Sequence, residues 1–263
     1  MPELPEVETV LRSLAPHVVG RTIVGASFNS RFVTQGSFET VARELAGSRI
    51  EGLQRHGKHI LVRLSRGWLH IHLGMTGRLL WGSPKGPYTR AILELDEGRI
   101  VYDDIRQFGR VNYYRELPPW VGTLGPDAMS VSFDTFLERL RKRTSGLKAA
   151  LLDQKLVGGL GNIYVDEILF ACSIHPKARI RRLSERRIGR LYDAMLLVLQ
   201  TAIQHRGSSI SDYVDASGLP GQFQQMHQVY GRTGSPCMQC GTPIRRILIA
   251  QRGTHYCPKC QRP

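Results

Sequence analysis

The sequence predicts an α+β protein with an all-β first half, a helical second half and a cysteine-rich tail. Short apolar segments separated by glycines fill the region from Arg21 to about Asp104. Apolar residues at helical spacing follow from Phe133 to about His205, and two CxxC pairs lie near the end of the chain. A length of 263 residues suggests two domains, or one large domain with an appendage.

The composition is that of a globular protein with a large excess of positive charge. The chain has 36 Lys and Arg against 22 Asp and Glu, which gives a net charge of +14. No apolar stretch approaches the roughly 20 residues of a membrane-spanning helix, and no apolar signal-peptide core follows the N-terminus. We therefore expect a cytosolic protein with a polyanionic partner, nucleic acid ahead of an acidic membrane.

The first predicted helix follows the N-terminus directly, because Val7, Val10, Leu11 and Leu14 recur at helical spacing. Pro5 is compatible with its first turn.

The residue at position 2 is a candidate nucleophile. Met1 in front of a small residue is normally removed, so we expect Pro2 to carry a free secondary amine. An α-amino group titrates near ~7.7–8.0, so roughly a tenth or more is unprotonated at neutral pH and able to form a cationic imine with a sugar carbon. Glu3 is adjacent and can exchange the proton. The alternative is that Pro2 only begins a helix.

The strands of the first half are predicted from apolar, β-branched segments with turn signals between them. A series of such segments favours a sandwich or a flattened barrel. The segments are Ile60–Leu64, Trp68–Leu73, Ala91–Leu95 and Ile100–Tyr102.

A stretch rich in Pro and Gly, residues 117–127, predicts the link between the two halves. Helical periodicity begins after it, and Gly207 is the predicted stop of the longest helix. The first predicted helix carries the apolar stripe Phe133–Leu140, and a second begins with Leu147–Leu152. The third is Ile163–Cys172, and the longest runs from about Ser184 to His205.

The tail predicts a metal site. The spacing Cys237-x2-Cys240-x16-Cys257-x2-Cys260 fits tetrahedral zinc with four thiolate ligands. A hairpin of this size cannot build a core, so the metal would supply much of its folding energy. Redox disulfides and an iron–sulfur cluster are the alternatives. The fifth cysteine, Cys172, continues an apolar helix stripe, and we expect it to be a buried structural thiol.

Several basic and loop residues are candidates for contacts with nucleic acid. Arg245, Arg246 and Arg252 lie between the CxxC pairs and suit phosphate, or form a solvated charged face. The glycine turn that ends in Asn162 offers helix N-terminal amides to a phosphate, or is only a tight turn. Lys58 lies in a basic run before a strand, which alone indicates surface.

Three residues on turns, Met75, Arg106 and Phe108, suit the gap that an everted base leaves in a duplex. Taken singly, each is more typical of core packing or of the surface than of a residue that inserts into a base stack.

Together these segments resemble the bacterial formamidopyrimidine-DNA glycosylases, base-excision enzymes for oxidised purines. The matching pieces occur in order over nearly the whole chain. They are Met1–Glu8, Gly57–Lys58, His72–Gly77, Asp104–Gly109, Leu124–Pro126, Gly161–Tyr164, Gln228–Arg232 and the four cysteines of the tail.

The resemblance implies an N-terminal β-sandwich with an N-terminal helix, a helix–two-turn–helix domain and a C-terminal four-cysteine zinc hairpin. DNA would lie in the cleft between the halves. We place the catalytic domain at 1–120, the linker at 121–131, the helical DNA-binding domain at 132–228 and the zinc finger at 229–263. The implied state is a monomer with one structural Zn²⁺ that binds damaged double-stranded DNA and no membrane.

The resemblance also implies the catalytic roles. Pro2 attacks C1′ and expels the base, Glu3 transfers a proton at the sugar, and Glu6 supports the site. Lys58 acts in the glycosylase and β-elimination steps. Arg252 takes part in δ-elimination, and the outcome is a one-nucleotide gap.

The implied DNA-contacting residues form three sets. The residues that fill the vacated stack are Met75, Arg106 and Phe108. The phosphate-binding pair is Asn162 and Arg252. The supporting residues are His72, Lys155, Tyr230 and Arg246. The loop Ser217–Gly221 matches the segment that covers the everted base.

Two other functions remain open. An oxidised-pyrimidine enzyme of the endonuclease VIII type shares the Pro-Glu start, but usually has glycine where this chain has Leu4. A non-catalytic zinc-ribbon DNA-binding protein would keep the cysteines and the basic face without needing Pro2, Glu3 or Lys58.

Overall fold

The computed structural model describes residues 2–262 and divides into two compact units. The first unit runs to Gly122 and also includes His205–Gln222, while the second comprises Thr123–Gln204 and the chain from Phe223 onward. Met1 and Pro263 lie outside the described residues, and so does the expected removal of Met1.

The first unit contains two helices and two antiparallel four-stranded sheets, which confirms the predicted β-sandwich. The sheets have the strand orders β1-β6-β7-β5 and β2-β3-β4-β8. The helices are α1 (Leu4–Val18) and α2 (Phe38–Leu45). The strands are β1 (Ile23–Phe28), β2 (Ile50–His56), β3 (His59–Leu64), β4 (Trp68–His72), β5 (Arg78–Trp81), β6 (Thr89–Leu95), β7 (Arg99–Asp103) and β8 (Arg110–Tyr114).

Helix α1 forms because its apolar residues recur every three to four positions and its first turn accepts Pro5. The buried face, which includes Val7, Val10 and Leu14, packs on β2, β3 and β5. One continuous core takes side chains from this face and from both sheets. Helix α1 therefore contacts strands of both sheets.

The second unit is helical, with a two-stranded hairpin at its end. Its elements are α3 (Phe133–Arg141), α4 (Leu147–Leu152), α5 (Asn162–Ala171), α6 (Glu185–Gln204), β9 (Arg245–Ile249) and β10 (Arg252–Tyr256). Helices α3 and α4 begin where the sequence predicts them, and α5 and α6 begin and end within one residue of the predicted bounds. Helix α5 is buried from Ile163 to Phe170, so it is the central helix of the unit.

The predicted strands are also confirmed, but the prediction missed α2. This helix is only two turns long and begins with a Ser37 cap, whose hydroxyl accepts a hydrogen bond from the Thr40 amide at 3.2 Å. Phe38, Val41 and Leu45 give it an apolar face that is too short to stand out between strands.

Cys172 is buried at the end of α5, as predicted, and burial raises the pKa of its thiol to about 11. No helix among residues 2–262 combines the length and the apolar character that crossing a bilayer requires.

Candidate active site and metal centre

The N-terminal residues are buried and held by a carboxylate. Pro2, Glu3 and Glu6 are all buried. The Glu6 carboxylate accepts hydrogen bonds from the Glu3 amide at 2.8 Å and from the Ser208 amide at 2.7 Å. Two backbone segments that lie about 200 positions apart in sequence therefore meet at one side chain.

The contact with residue 208 requires close backbone approach. Gly207 has φ +74°, and a Cβ there would lie 2.6 Å from Glu6 Oε1. The Tyr213 hydroxyl is shared between two acceptors, the Glu6 carbonyl at 3.3 Å and the Arg206 carbonyl at 3.1 Å. Burial, with the Glu6 charge, raises the pKa of Tyr213, so its hydroxyl stays neutral.

Lys58 lies in the turn between β2 and β3, and the turn is tied to α1. The Arg55 guanidinium bonds Glu8 of α1 at 2.7 Å and the Gly57 carbonyl at 3.2 Å. Lys58 is 8 % exposed, which is unusual for a lysine. The structure thus brings Lys58 to the helix that carries Pro2 and Glu3.

A histidine cluster lies beneath this turn. His59 Nδ1 and His70 Nε2 are 2.9 Å apart, so one ring donates and the other accepts. Both rings pack on Trp120, and His59 also packs on His72. Burial lowers the pKa of His59 to about 2, of His70 to about 3 and of His72 to about 4. The positive charge of Lys58 adds to the lowering at His72.

Asp104 joins two loops of the first unit. Its Oδ1 accepts from the Thr76 hydroxyl at 2.6 Å and from the Arg106 amide at 3.2 Å. Its Oδ2 accepts from the Gly109 amide at 2.8 Å and from the Tyr102 hydroxyl at 3.3 Å. The loop with Met75 and the loop with Arg106 and Phe108 are therefore fixed by one buried carboxylate.

The three predicted wedge residues are presented by these loops. Met75 is 38 % exposed and Phe108 is 52 % exposed. The Arg106 guanidinium lies 4.7 Å from the centre of the Phe108 ring, so these two side chains form one surface. Large exposed side chains on a rigid base suit insertion into a base stack.

In the second unit the predicted phosphate-binding residues come together. Asn162 is the first residue of α5, and its Nδ2 donates to the Gly253 carbonyl at 2.9 Å. Gly253 follows Arg252, which is exposed. The Arg246 guanidinium on β9 packs against Gly253, because a Cβ added to Gly253 would lie 2.7 Å from Arg246 Nη2. The helix N-terminus and the hairpin tip therefore present one group of donors.

The other two supporting residues lie on loops of this unit. Lys155 is exposed, and its carbonyl accepts from Arg139 Nη2 at 2.5 Å. The Tyr230 ring packs edge-on against His227 and His255. The Glu167 carboxylate accepts from the Tyr230 amide at 2.8 Å and from the two preceding amides.

A buried ion pair joins the hairpin to the helices. Lys148 Nζ bonds Asp166 Oδ1 at 2.6 Å and the Thr254 hydroxyl at 2.8 Å. The second Asp166 oxygen accepts from the His255 amide at 2.8 Å. Lys148 and Asp166 are both 0 % exposed. The network links α4, α5 and β10 directly behind the Asn162–Arg252 pair.

The four tail cysteines form a metal centre. Their sulfurs all lie within 4.8 Å of one another, with Cys237–Cys260 at 3.9 Å and Cys240–Cys257 at 3.4 Å. A tetrahedron with Zn–S bonds of about 2.3 Å has edges of roughly 3.8 Å, so the cluster fits zinc. With four thiolates the site is closed to water, which makes the zinc ion structural.

The sequence did not predict the residues whose hydrogen bonds order the segments that carry the predicted site residues. These are Asp104, Lys148, Asp166, Glu167, Ser208 and Tyr213. Lys148 and Asp166 lie at positions of apolar helices that face the core, and a charge there is the only signal that sequence carries.

Comparison with known families agrees with this architecture. Residues 1–111 match the formamidopyrimidine-DNA glycosylase N-terminal domain, 124–214 match the H2TH domain of the same glycosylase, and 234–263 match the zinc finger found in FPG and IleRS. The chain belongs to the formamidopyrimidine-DNA glycosylase family. The predicted helix–two-turn–helix domain and the zinc finger are thereby confirmed.

Individual members of the family match over their whole length. The formamidopyrimidine-DNA glycosylase of Solibacter usitatus is 50 % identical, with 100 % of both chains covered. A crystal structure of a Lactococcus lactis FPG mutant with DNA containing Fapy-dG has a TM-score of 0.91, 37 % identity and 100 % coverage of both chains. The MutM (FPG) protein of Thermus thermophilus has a TM-score of 0.89, 41 % identity and coverage of 99 % and 98 %.

The histidine cluster predicts a pH-dependent stability. The folded rings stay neutral, whereas the unfolded chain binds protons below about pH 6.5, so stability is present above that pH and is lost as the pH falls. The loss is about 1.4 kcal/mol per pH unit for each histidine. His70→Leu should reduce the slope of unfolding free energy between about pH 4.5 and 6 by that amount.

Denaturant unfolding at several pH values measures this slope. Leu69→Ala is the control, because it removes a core side chain from the same strand without removing a titrating group. An unchanged slope in His70→Leu would contradict the prediction.

Asp104→Asn should loosen both wedge loops. The new NH₂ group cannot accept the hydrogen bonds that one carboxylate oxygen accepted. The expected loss of unfolding free energy is about 1–3 kcal/mol. We also expect weaker binding to a duplex with an abasic analogue, measured by fluorescence anisotropy. Asp96→Asn is the control, since Asp96 is exposed and accepts only a 3.2 Å bond from the Thr22 amide. Equal effects of the two changes would refute the special role of Asp104.

The buried ion pair predicts strong coupling in a double-mutant cycle of Lys148→Met and Asp166→Asn. Either single change leaves one buried charge without its counter-charge and should cost about 3–5 kcal/mol, with a coupling of at least about 2 kcal/mol. The exposed Lys142–Glu138 pair, at 2.5 Å, is the matched control and should couple far more weakly, because water screens its charges. Similar coupling in both pairs would overturn this view.

Proposed function

We propose that this chain is a bifunctional DNA glycosylase and AP lyase that removes oxidised purines from duplex DNA in base excision repair. Family membership over the whole chain supports the reaction class. The observation that carries the proposal is the buried start of α1, where Glu6 holds the backbone of Glu3 beside Pro2. A buried amine next to a carboxylate is the arrangement that imine chemistry requires.

We assign the steps as follows. Once Met1 has been removed, the Pro2 nitrogen attacks C1′ of the damaged nucleotide, and the base leaves with the electrons of the N-glycosidic bond. Glu3 transfers a proton at the sugar as the ring opens to the cationic imine. Loss of the C2′ proton then expels the 3′ phosphate, and the second elimination expels the 5′ phosphate. Hydrolysis of the remaining imine frees Pro2.

Other residues serve these steps through charge and position. Lys58, with neutral histidines beneath it, supplies a cation in the glycosylase and β-elimination steps. Arg252 and Asn162 hold a phosphate, and Arg252 assists the δ-elimination. His72, Lys155, Tyr230 and Arg246 support these contacts.

Base eversion has its own residues. Met75, Arg106 and Phe108 fill the vacated stack, and the loop Ser217–Gly221 covers the everted base. Unstacking costs roughly a few kcal/mol, which wedge and phosphate contacts offset. We further propose that residues 1–120 carry the chemistry, that 121–131 form the linker, and that 132–228 with 229–263 hold the duplex.

We propose that the substrates are oxidised purines, 8-oxoguanine and formamidopyrimidines, rather than oxidised pyrimidines. The exposed Met75, Arg106 and Phe108 support this choice, and so does the similar Lactococcus lactis protein with DNA containing Fapy-dG. We expect the protein to act as a monomer in the bacterial cytosol, at the nucleoid. A clear preference for thymine glycol over 8-oxoguanine duplexes would favour the endonuclease VIII alternative.

Borohydride trapping tests the nucleophile. Protein without Met1 is mixed with a duplex holding one 8-oxoguanine opposite cytosine, borohydride is added, and the adduct is mapped by mass spectrometry. We expect one covalent adduct on Pro2, because only an imine is reduced to a stable bond. Absence of an adduct in zinc-loaded protein that binds the duplex would leave a non-catalytic DNA-binding protein.

Glu3→Gln separates base removal from binding. Loss of the proton-transfer group should slow excision by about 10²–10⁴-fold. Glu39→Gln, on the outer face of α2, is the matched control and should leave excision unchanged. Equal rates for both variants would remove Glu3 from the mechanism.

A further inference from the structure

The second unit carries a basic surface that the proposed reaction does not use. Residues 177–190 contain seven Lys or Arg residues and one acidic residue, Glu185. Two adjoining cavities open along this segment, one of about 560 Å³ and one of about 220 Å³. We call them together the basic groove. Its cations are Arg141, Arg143, Lys177, Arg179, Arg181, Arg182 and Arg187.

The walls of the basic groove are fixed by backbone contacts. The Leu147 amide donates to the Ala178 carbonyl at 3.0 Å, next to a β-bridge between Gly146 and Arg179. The Arg141 guanidinium bonds the Ile180 carbonyl at 3.1 Å and the Leu183 carbonyl at 2.8 Å. The two segments that line the groove are thus joined, so its cations are presented on an ordered surface.

Most of these cations are not neutralised by the protein. Arg143 pairs with Asp153 at 2.8 Å. Within residues 2–262, no ion pair joins Lys177, Arg179, Arg181 or Arg182 to a carboxylate, and all four are exposed. Neither cavity is lined by a described Asp or Glu. Unpaired like charges this close repel one another, so an anionic ligand would stabilise the surface.

The basic groove lies away from the predicted phosphate-binding pair. Asn162 begins α5, whereas the groove begins after the other end of this ten-residue helix. At 1.5 Å per residue, the two sites are roughly 15 Å apart along the helix axis. One phosphate cannot contact both places, so the groove would bind phosphates of its own.

The chemistry of the lining selects the partner. Protein interfaces are anchored by aromatic and large apolar side chains, and membrane-binding basic helices carry an apolar face. None of the exposed large hydrophobic residues of the described chain lines the groove. Forked guanidiniums with the neighbouring Thr144 and Ser145 hydroxyls suit the closely spaced phosphates of a nucleic acid.

We propose that the basic groove is a second DNA-binding site, which holds the backbone of a lesion-free duplex segment while the Asn162–Arg252 side of the unit holds another. The contacts are to phosphates and carry no sequence information. Such a site keeps the protein on DNA while it changes segments. It goes beyond the excision reaction and needs no lesion.

A two-duplex binding experiment tests the proposal. Protein is first saturated with a short unlabelled duplex that contains a tetrahydrofuran abasic analogue. A fluorescent lesion-free duplex is then titrated, and anisotropy and sedimentation report a ternary complex. We expect a second duplex to bind, with a log–log salt slope of about −3 to −4 for four phosphate contacts.

The groove variant combines Lys177→Gln, Arg179→Gln, Arg181→Gln and Arg182→Gln. It should weaken the second binding event by at least about tenfold. Excision from a short lesion duplex should stay within about twofold. The control variant neutralises the same number of positive charges at four exposed residues of the first unit. These changes are Arg43→Gln, Arg66→Gln, Lys85→Gln and Arg115→Gln.

Three outcomes would overturn the proposal. The first is a wild-type complex that never exceeds one duplex per protein. The second is equal weakening by the groove and control variants, which would show a net-charge effect only. The third is tighter binding of duplex RNA than of duplex DNA in the groove. Failure to bind the lesion duplex would count against the proposed excision function alone, since the difference between the groove variant and the wild type in binding lesion-free duplex still reports on the groove.

Discussion

The candidate active site depends on the Glu6 carboxylate and on the hydrogen bonds that it accepts from two backbone amides. Pro2 and Glu3 lie at a chain end, and chain ends fray unless something holds them. Glu6 bonds the Glu3 amide on one side and the Ser208 amide on the other. A buried carboxylate left without these donors would carry a large desolvation cost, so the terminus and residues 205–222 order each other.

Buried carboxylates also order the backbone near the other predicted site residues. Asp104 fixes the two wedge loops, Glu167 fixes the backbone at Tyr230, and Asp166 fixes the hairpin behind Arg252. Each is a buried carboxylate that accepts hydrogen bonds from backbone amides. In a chain with a net charge of +14, acids placed in the interior cannot neutralise the surface, so these contacts also leave the exposed face more positive.

The sequence predicted the elements well because they are long, periodic and bounded by strong signals. Helices α5 and α6 and the four-cysteine hairpin are examples, and resemblance to a family supplied the proposed roles of Pro2, Lys58 and Asn162. The supporting contacts were not predictable. The hydrogen bond from the Ser208 amide to Glu6 joins residues 202 positions apart, and no local sequence pattern at either residue predicts it. Helix α2 was missed because two turns carry too little periodicity.

The histidine cluster shows why position and charge must be considered together. His59 follows Lys58 in sequence and its ring packs on His70 and His72, and burial keeps all three rings neutral at physiological pH. Protonated rings there would place several cations beside one buried lysine and disfavour its charged form. Neutral rings add no positive charge beside Lys58. The buried rings therefore affect the electrostatic environment of Lys58 as well as the packing of the sheet.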